Sequence, residues 1–214
     1  MRKFFLFILL TSQTLCFSQK KVLKKLQTNA DEINIYTKGL DNIILENSST
    51  GFLEIALQAE SYDDQLIKIE QQPSKINVKF DFEGTQTREV IFRKFITKRL
   101  QRASAIVKIP KNKKVYIFGE NVDIESVNYN NDLAIYIDNG IVKLNTIQSN
   151  VILKLYSGNV YAKVKSANIN VISNTGKIEI DDVLYQKKYN KVIESKLKEV
   201  SITSIKANIF LTTQ

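Results

Sequence analysis

Residues 131–184 divide into three blocks of eighteen: NDLAIYIDNGIVKLNTIQ from Asn131, SNVILKLYSGNVYAKVKS from Ser149 and ANINVISNTGKIEIDDVL from Ala167. Glycine falls at the same place in each, as Gly140, Gly158 and Gly176. Ahead of it alternate Leu133, Ile135 and Ile137, then Val151, Leu153 and Leu155, then Ile169, Val171 and Ser173. Behind it come Val142 and Leu144, Val160 and Ala162, and Ile178 and Ile180. Ser173 alone breaks an otherwise apolar set, and the positions between are mostly polar or charged. Alternation with a period of two marks β-strand, because successive side chains point to opposite faces. The glycine offers a positive-φ corner, and Asn139 or Ser157 before it suits a turn. The expectation is an all-β chain, a β-solenoid of short strands with an 18-residue coil repeat. Leu133, Val151 and Ile169 then stack in one inward column. A single coil cannot bury its apolar row, whereas stacked coils can, at about 1.5–3 kcal/mol per fully buried aliphatic side chain.

Working outward, Val115, Ile117, Val122 and Ile124 predict a weaker coil before the repeat, and Val200, Ile202, Ile209 and Leu211 predict one that closes the chain. The lysine-rich stretch 185–199 between them reads as a loop or short helix on the flank. Further upstream, Ile33 and Ile35, then Leu53, Ile55 and Leu57, then Ile67 and Ile69, then Ile76, Val78, Phe80 and Phe82 alternate without the repeat's register. Turn-forming clusters such as residues 47–51 and 61–64 separate them. Residues 19–110 are therefore expected as an irregular β-region that caps the solenoid or forms its wider first coils. Residues 111–214 are expected as the repeats. A cap makes physical sense, since an uncovered terminal coil is an exposed sheet edge. No linker or low-complexity tract divides the chain, so 19–214 reads as one domain.

The strand Ala105-Ile106-Val107-Lys108-Ile109-Pro110, the polar turn after it, and the corners Asn139-Gly140, Ser157-Gly158 and Thr175-Gly176 carry a resemblance. Together they resemble the "putative adhesin" β-strand-repeat family of exported bacterial proteins, over roughly residues 33–211. The resemblance implies a solenoidal, envelope-associated protein whose activity is largely undefined. The departure from the family pattern is a strongly basic stretch just before Ala105.

The first eighteen residues read as a secretory signal peptide. Arg2 and Lys3 precede the apolar run Phe4 to Leu10, and small side chains at Cys16 and Ser18 suit cleavage after Ser18. Seven apolar residues fall well short of the roughly 20 that span a bilayer, and no later segment is long and apolar enough. A lipidated Cys16 fits poorly, because Gln13 stands where a lipoprotein box has leucine. The expected address is therefore export, to the periplasm or the outer cell surface. The 214-residue chain has no histidine, no tryptophan and one cysteine, which excludes His-based nucleophilic triads, His/Cys zinc sites and an intrachain disulfide. No cofactor or metal site is expected.

The formal charge of +9 is local. Arg88, Arg93, Arg99 and Arg102, with Lys94 and Lys98, lie in fifteen residues against a single Glu89, and the rest of the chain after Ser18 is nearly neutral. Arginine's planar fork suits phosphate and carboxylate, so these six residues form a candidate patch for an anionic envelope component, either lipid headgroups or polysaccharide. The alternative is a solvated face packed by Phe92, Phe95, Ile96 and Leu100. An exported chain does not meet nucleic acid. Three functional readings follow. The first is a non-enzymatic envelope scaffold or adhesin-like interaction module. The second is a carbohydrate-active or polysaccharide-binding solenoid, and the third a periplasmic sensor or regulatory partner of other proteins. Glycoside chemistry needs paired carboxylates. Asp181-Asp182 is the obvious acidic pair, but adjacent residues on a strand diverge, and it reads as a turn after Ile180. The outward columns 134/152/170 and 143/161/179 hold Ala, Ile, Asn and Lys, Tyr, Glu, which is no catalytic row. No catalytic residue is expected.

Overall fold

The computed structural model describes residues 21–59, 64–83, 103–193 and 198–213. They form seventeen strands with no helix among them, joined in one sheet that does not close on itself. In chain order these are β1 (Lys21–Leu26), β2 (Glu32–Tyr36), β3 (Asn42–Asn47), β4 (Leu53–Ala59), β5 (Asp64–Gln71) and β6 (Lys75–Glu83). Then come β7 (Ala103–Ile109), β8 (Lys114–Asn121), β9 (Asp123–Val127), β10 (Asp132–Ile147), β11 (Val151–Val164) and β12 (Asn168–Ser173). Last are β13 (Ile178–Ile180), β14 (Val183–Tyr185), β15 (Lys188–Lys191), β16 (Glu199–Ser204) and β17 (Asn208–Thr213).

Cross-strand pairing arranges them in two ladders. The first runs β5, β6, β2, β8, the front of β10, the front of β11, β16, β12, β15. The second runs β1, β4, β7, β3, β9, the back of β10, the back of β11, β17, β13, β14. The middle of each ladder is parallel, and antiparallel strands lie at the ends. Successive inward residues form continuous columns. Ile76, Ile33, Val115, Leu133, Val151, Val200 and Ile169 make one, and all are buried. Ile43, Ile124, Val142, Val160, Ile209 and Ile178 make its counterpart in the second ladder.

The eighteen-residue offset is met where β10 pairs with β11: Leu133 faces Val151, Gly140 faces Gly158, and Val142 faces Val160. Four expectations need correction. Val151 and Ile169 share a column but are not neighbours, because Val200 lies between them. The strands carrying Val200 and Ile209 do not close the stack; they are inserted between β11 and the third block. The described part of 185–199 is only partly loop, since β15 pairs antiparallel with β12 and covers the end of the first ladder. The upstream half holds more register than its spacing suggests, for β2 and β3 pair in parallel with β8 and β9.

The glycine corners also differ from expectation. β10 and β11 run through Gly140 and Gly158 as single strands, with φ of +156° and +124°. A Cβ on Gly140 would lie 2.0 Å from the Val122 carbonyl oxygen, and one on Gly158 would lie 2.1 Å from that of Gly140. Gly176 has no left-handed φ, yet its Cβ would lie 1.8 Å from the Ala207 oxygen. Close backbone approach between stacked strands is the requirement common to all three.

Candidate functional site

Alternation leaves every second side chain of the middle strands facing outward, and pairing sets these too in columns. In the first ladder Lys79, Tyr36, Phe118, Tyr136 and Lys154 are successive cross-strand partners. The rings stack, Tyr36 on Phe118 at 5.4 Å and Phe118 on Tyr136 at 5.5 Å between centroids, with interplanar angles of 22° and 10°. Lys79 and Lys154 place their ammonium groups 5.8 Å from the Tyr36 and Tyr136 centroids, so a cation closes each end of the row. Tyr116, one column over, lies near-parallel to Phe118 at 6.5 Å. Offset stacking satisfies the ring quadrupoles, and it turns ring edges rather than faces to solvent. The row is thus a rigid ridge bordered by lysine. A shorter row stands on the second ladder, where Tyr161 stacks on Phe210 at 5.1 Å and Lys177 lies 5.6 Å from the Phe210 ring.

Beside the end of the ridge is a depression of about 420 Å³ lined by Tyr136, Lys154, Tyr156, Thr203 and Ile205, among others. Tyr156 and Ile205 remain 47% and 45% exposed. Lys206 donates its backbone N–H to the Tyr156 carbonyl at 2.8 Å and sets its ammonium 5.2 Å from the Tyr156 centroid. The floor is open and partly apolar, and its lining holds both Lys154 and the Asp138 carboxylate. A larger cleft of about 610 Å³, lined by Gln27, Asn29, Ala30, Gln71, Gln72 and Pro73, carries amides and no titratable group.

Carboxylates face lysines or backbone. Glu54 pairs with Lys25 at 3.1 Å, Glu70 with Lys79 at 2.6 Å, Glu179 with Lys177 at 2.6 Å, and Asp81 with Lys68. The Thr50 hydroxyl, then Lys25, holds Glu54 below the ordinary carboxylate range, and Lys79 and Lys68 do the same for Glu70 and Asp81. Asp181 and Asp182 both adopt left-handed backbone, φ +50° and +63°. The Asp181 carboxylate accepts the Thr213 hydroxyl at 2.5 Å and its N–H at 2.7 Å, which lowers its pKa. The pair is the turn that its position after Ile180 implies. Among the described residues no group of three or more His, Cys, Asp and Glu side chains is arranged to hold a metal ion.

Arg88, Arg93, Lys94, Lys98, Arg99 and Arg102 lie outside the described residues, as do residues 1–18. Their segment joins β6 to β7, and the backbone N–H of Ala103 donates to Asp41 Oδ2 at 2.9 Å where β7 begins. Sequence reading missed the aromatic ridge. Phe118 and Tyr136 are eighteen residues apart, so extending the repeat one block upstream would have found that pair. Tyr36 and Phe210 join their rows across out-of-order strands that no fixed spacing signals.

No family model matches this chain, and no curated protein matches its sequence. Among solved structures it is similar to a putative cell adhesion protein from Clostridium sporogenes, at 16% identity over 92% of this chain and 100% of the other, with a TM-score of 0.59. It is also similar to a putative adhesin from Bacteroides fragilis, at 12% identity over 92% and 98% of the two chains, with a TM-score of 0.30. A putative lipid binding protein from Parabacteroides distasonis is similar at 12% identity over 91% and 97%, with a TM-score of 0.23. The first is a likeness of fold, and the other two are too low to carry an argument. The name of the first agrees with the adhesin-type resemblance of the sequence. Among the described residues no helix is long and apolar enough to cross a membrane.

Proposed function

We propose that the chain is an exported, non-enzymatic β-solenoid of the cell envelope, a scaffold or adhesin-like module that works through its outward surface. The observation that carries this reading is the column Lys79–Tyr36–Phe118–Tyr136–Lys154. Outward positions in five successive strands form one continuous ridge, and Glu54, Glu70, Asp81, Glu179 and Asp181 are tied to lysines or to Thr213 instead of facing each other across a cleft. Like-on-like stacking at an eighteen-residue offset supports the solenoid, and the fold shared with the Clostridium protein supports the adhesin-like role. The signal-peptide pattern of residues 1–18 supports export.

The partner proposed is an anionic envelope component, lipid or polysaccharide. Arg88, Arg93, Lys94, Lys98, Arg99 and Arg102 supply the main charge, and Lys154 and Lys206 beside Tyr156 supply a second contact. Polysaccharide has a specific observation in its favour, since Tyr156 and Ile205 offer an exposed apolar floor beside Lys154, with the Lys206 ammonium near the Tyr156 ring. The test is co-sedimentation with anionic vesicles and with acidic polysaccharide, beside a melting curve. At about 1 kcal/mol per basic residue near an anionic surface, changing the four arginines to glutamine costs about 4 kcal/mol, nearly a thousandfold in affinity. Unchanged sedimentation with a lowered melting temperature makes the arginines structural and ends the anionic-partner reading. Cell fractionation with surface proteolysis separates a periplasmic from a surface address, and retention in the cytoplasm refutes export.

A further inference from the structure

Among the described residues the two ends of the second ladder are unlike. One end is β1, whose sequence KVLKKL puts Lys21, Lys24 and Lys25 on an edge strand, with Leu23 64% exposed. The other is β14, an edge strand of Val183, Leu184 and Tyr185, exposed by 53%, 64% and 37% and carrying no charge of its own. Asp181 and Asp182 precede it. Lysine on an edge strand is a standard guard against pairing with other chains, and β14 lacks it.

Leu23 and Leu184 are the two ends of one outward column, followed strand by strand through Ile44, Lys143 and Phe210. β14 runs against the parallel strands of this ladder, whereas β1, after two antiparallel steps through β4, runs with them. The geometry points to head-to-tail association of two copies of this chain, β14 of one lying antiparallel on β1 of the next. Continuing the columns sets Leu184 on Leu23, Val183 on Lys24, Tyr185 on Val22 and Asp182 on Lys25. The most exposed leucines then cover each other, and a carboxylate meets the lysine edge.

A symmetric contact can cover the leucines but leaves the charges unmatched. β1 on β1 would set lysine against lysine, and β14 on β14 would leave Asp182 without a cation. The first ladder is compatible with the same step: Tyr189 of β15 falls against Ile69 of β5, and Lys188 beside Lys68, whose charge Asp81 already meets. Because donor and acceptor surfaces differ, the contact is heterologous and not a two-fold dimer, and repeated along the ladder axis it builds linear arrays. For an adhesin-like module this multiplies the outward ridge along an axis.

The full chain, expressed with its leader and purified after export, is examined by sedimentation velocity over a wide concentration range. Mass should rise with concentration in steps of one chain. Leu184→Glu should raise the concentration of half-association by about tenfold or more, the equivalent of about 1.4 kcal/mol. Leu23→Lys combined with Leu184→Glu should restore it, since the new charges face each other only in a head-to-tail contact. Both positions are largely exposed, so unchanged melting curves verify folding. A monomer at every concentration overturns the proposal. So does association that Leu184→Glu leaves intact, or that Leu184→Glu abolishes and the Leu23 change fails to restore, which would mark a β14-to-β14 contact. Envelope binding by a strictly monomeric chain would overturn the array and leave the interaction-module reading standing.

Discussion

Three alanine substitutions separate the two demands that glycine meets in this fold. Gly51 has φ +75° and open space where a Cβ would stand, so Gly51→Ala pays only for left-handed backbone, about 1–2 kcal/mol. Gly176 has no left-handed φ, but its Cβ would lie 1.8 Å from the Ala207 carbonyl oxygen. Contacts under 3.0 Å are essentially never seen for a real Cβ, and the atom met is buried backbone in the corner between β16 and β17, so something must shift. Overpacking of this kind costs about 1–3 kcal/mol and occasionally more. Gly158 combines both, with φ +124° and a Cβ 2.1 Å from the Gly140 oxygen. Gly158→Ala should therefore cost about 2–5 kcal/mol. At about 2–4 °C per kcal/mol for a chain of this size, its melting temperature should fall by roughly 10 °C, against about 2–8 °C for Gly51→Ala. Thermal unfolding followed by circular dichroism ranks the three. If Gly158→Ala costs no more than Gly51→Ala, close stacking of β10 on β11 is not what requires glycine, and the corner is a matter of φ alone.

Tyr129 is buried, its hydroxyl has no hydrogen-bond partner among the described residues, and burial pushes its phenol far above the usual range. Tyr129→Phe should leave stability unchanged or raise it by up to about 1 kcal/mol in urea unfolding, and a clear loss would mean the hydroxyl is satisfied. Phe118→Leu removes the central ring of the ridge and its three ring contacts, with Tyr36, Tyr116 and Tyr136, at about 0.5–1.5 kcal/mol per pair beyond lost area, whereas Tyr161→Leu removes one pair and should cost about a third as much in the same measurement. The folded-state pKa of Asp181 is depressed by Thr213, so its contribution is complete above the unfolded value, about 3.9, and is lost as pH falls through the folded one. Protection of the Thr213 amide, taken relative to the intrinsic exchange rate at each pH, should fall in that acid window, and Asp181→Asn should abolish the fall; an unchanged profile in the variant assigns it elsewhere.

What could be read from the sequence is what repeats in a fixed period. Strand alternation places Leu133, Ile135, Val142 and their counterparts inside, because a half-buried strand allows no other pattern, and the glycine positions follow from the same register. The turn at Asp181-Asp182 was legible from composition alone. The aromatic ridge was half legible, since Phe118 and Tyr136 obey the spacing while Tyr36 reaches the row through a strand some eighty residues earlier in the chain. The capping strands at 183–191 were not legible. Lysine-rich and short, they look like solvated loop, and they become strands because the open edges of β12 and β13 offer unpaired backbone groups to whatever chain lies next to them.

The order of the stack is the harder case, and one residue explains why. Inward aliphatic side chains are interchangeable between strands, so periodicity tells that Val200 belongs with Val151 and Ile169 but not that it stands between them. Order needs residues that discriminate among neighbours. Ser173, the exception in the apolar columns, is such a residue. It is fully buried, faces Ser204 across β12 and β16, and donates to the Ala207 carbonyl at 2.8 Å. Ser204 in turn accepts the Ala207 N–H at 2.8 Å and donates to the Tyr156 carbonyl at 3.3 Å. Had the third block followed β11 directly, Ser173 would face Leu155, and Ser204 would lose the Tyr156 acceptor that β11 supplies. The same preference recurs at the rim, where Asn208 donates to Asn159 Oδ1 at 3.1 Å and the Glu199 N–H donates to Asn150 Oδ1 at 3.0 Å. Polar positions that look like blemishes in a repeat are therefore where its order is specified, because an unpaired buried hydroxyl costs more than a displaced methyl group.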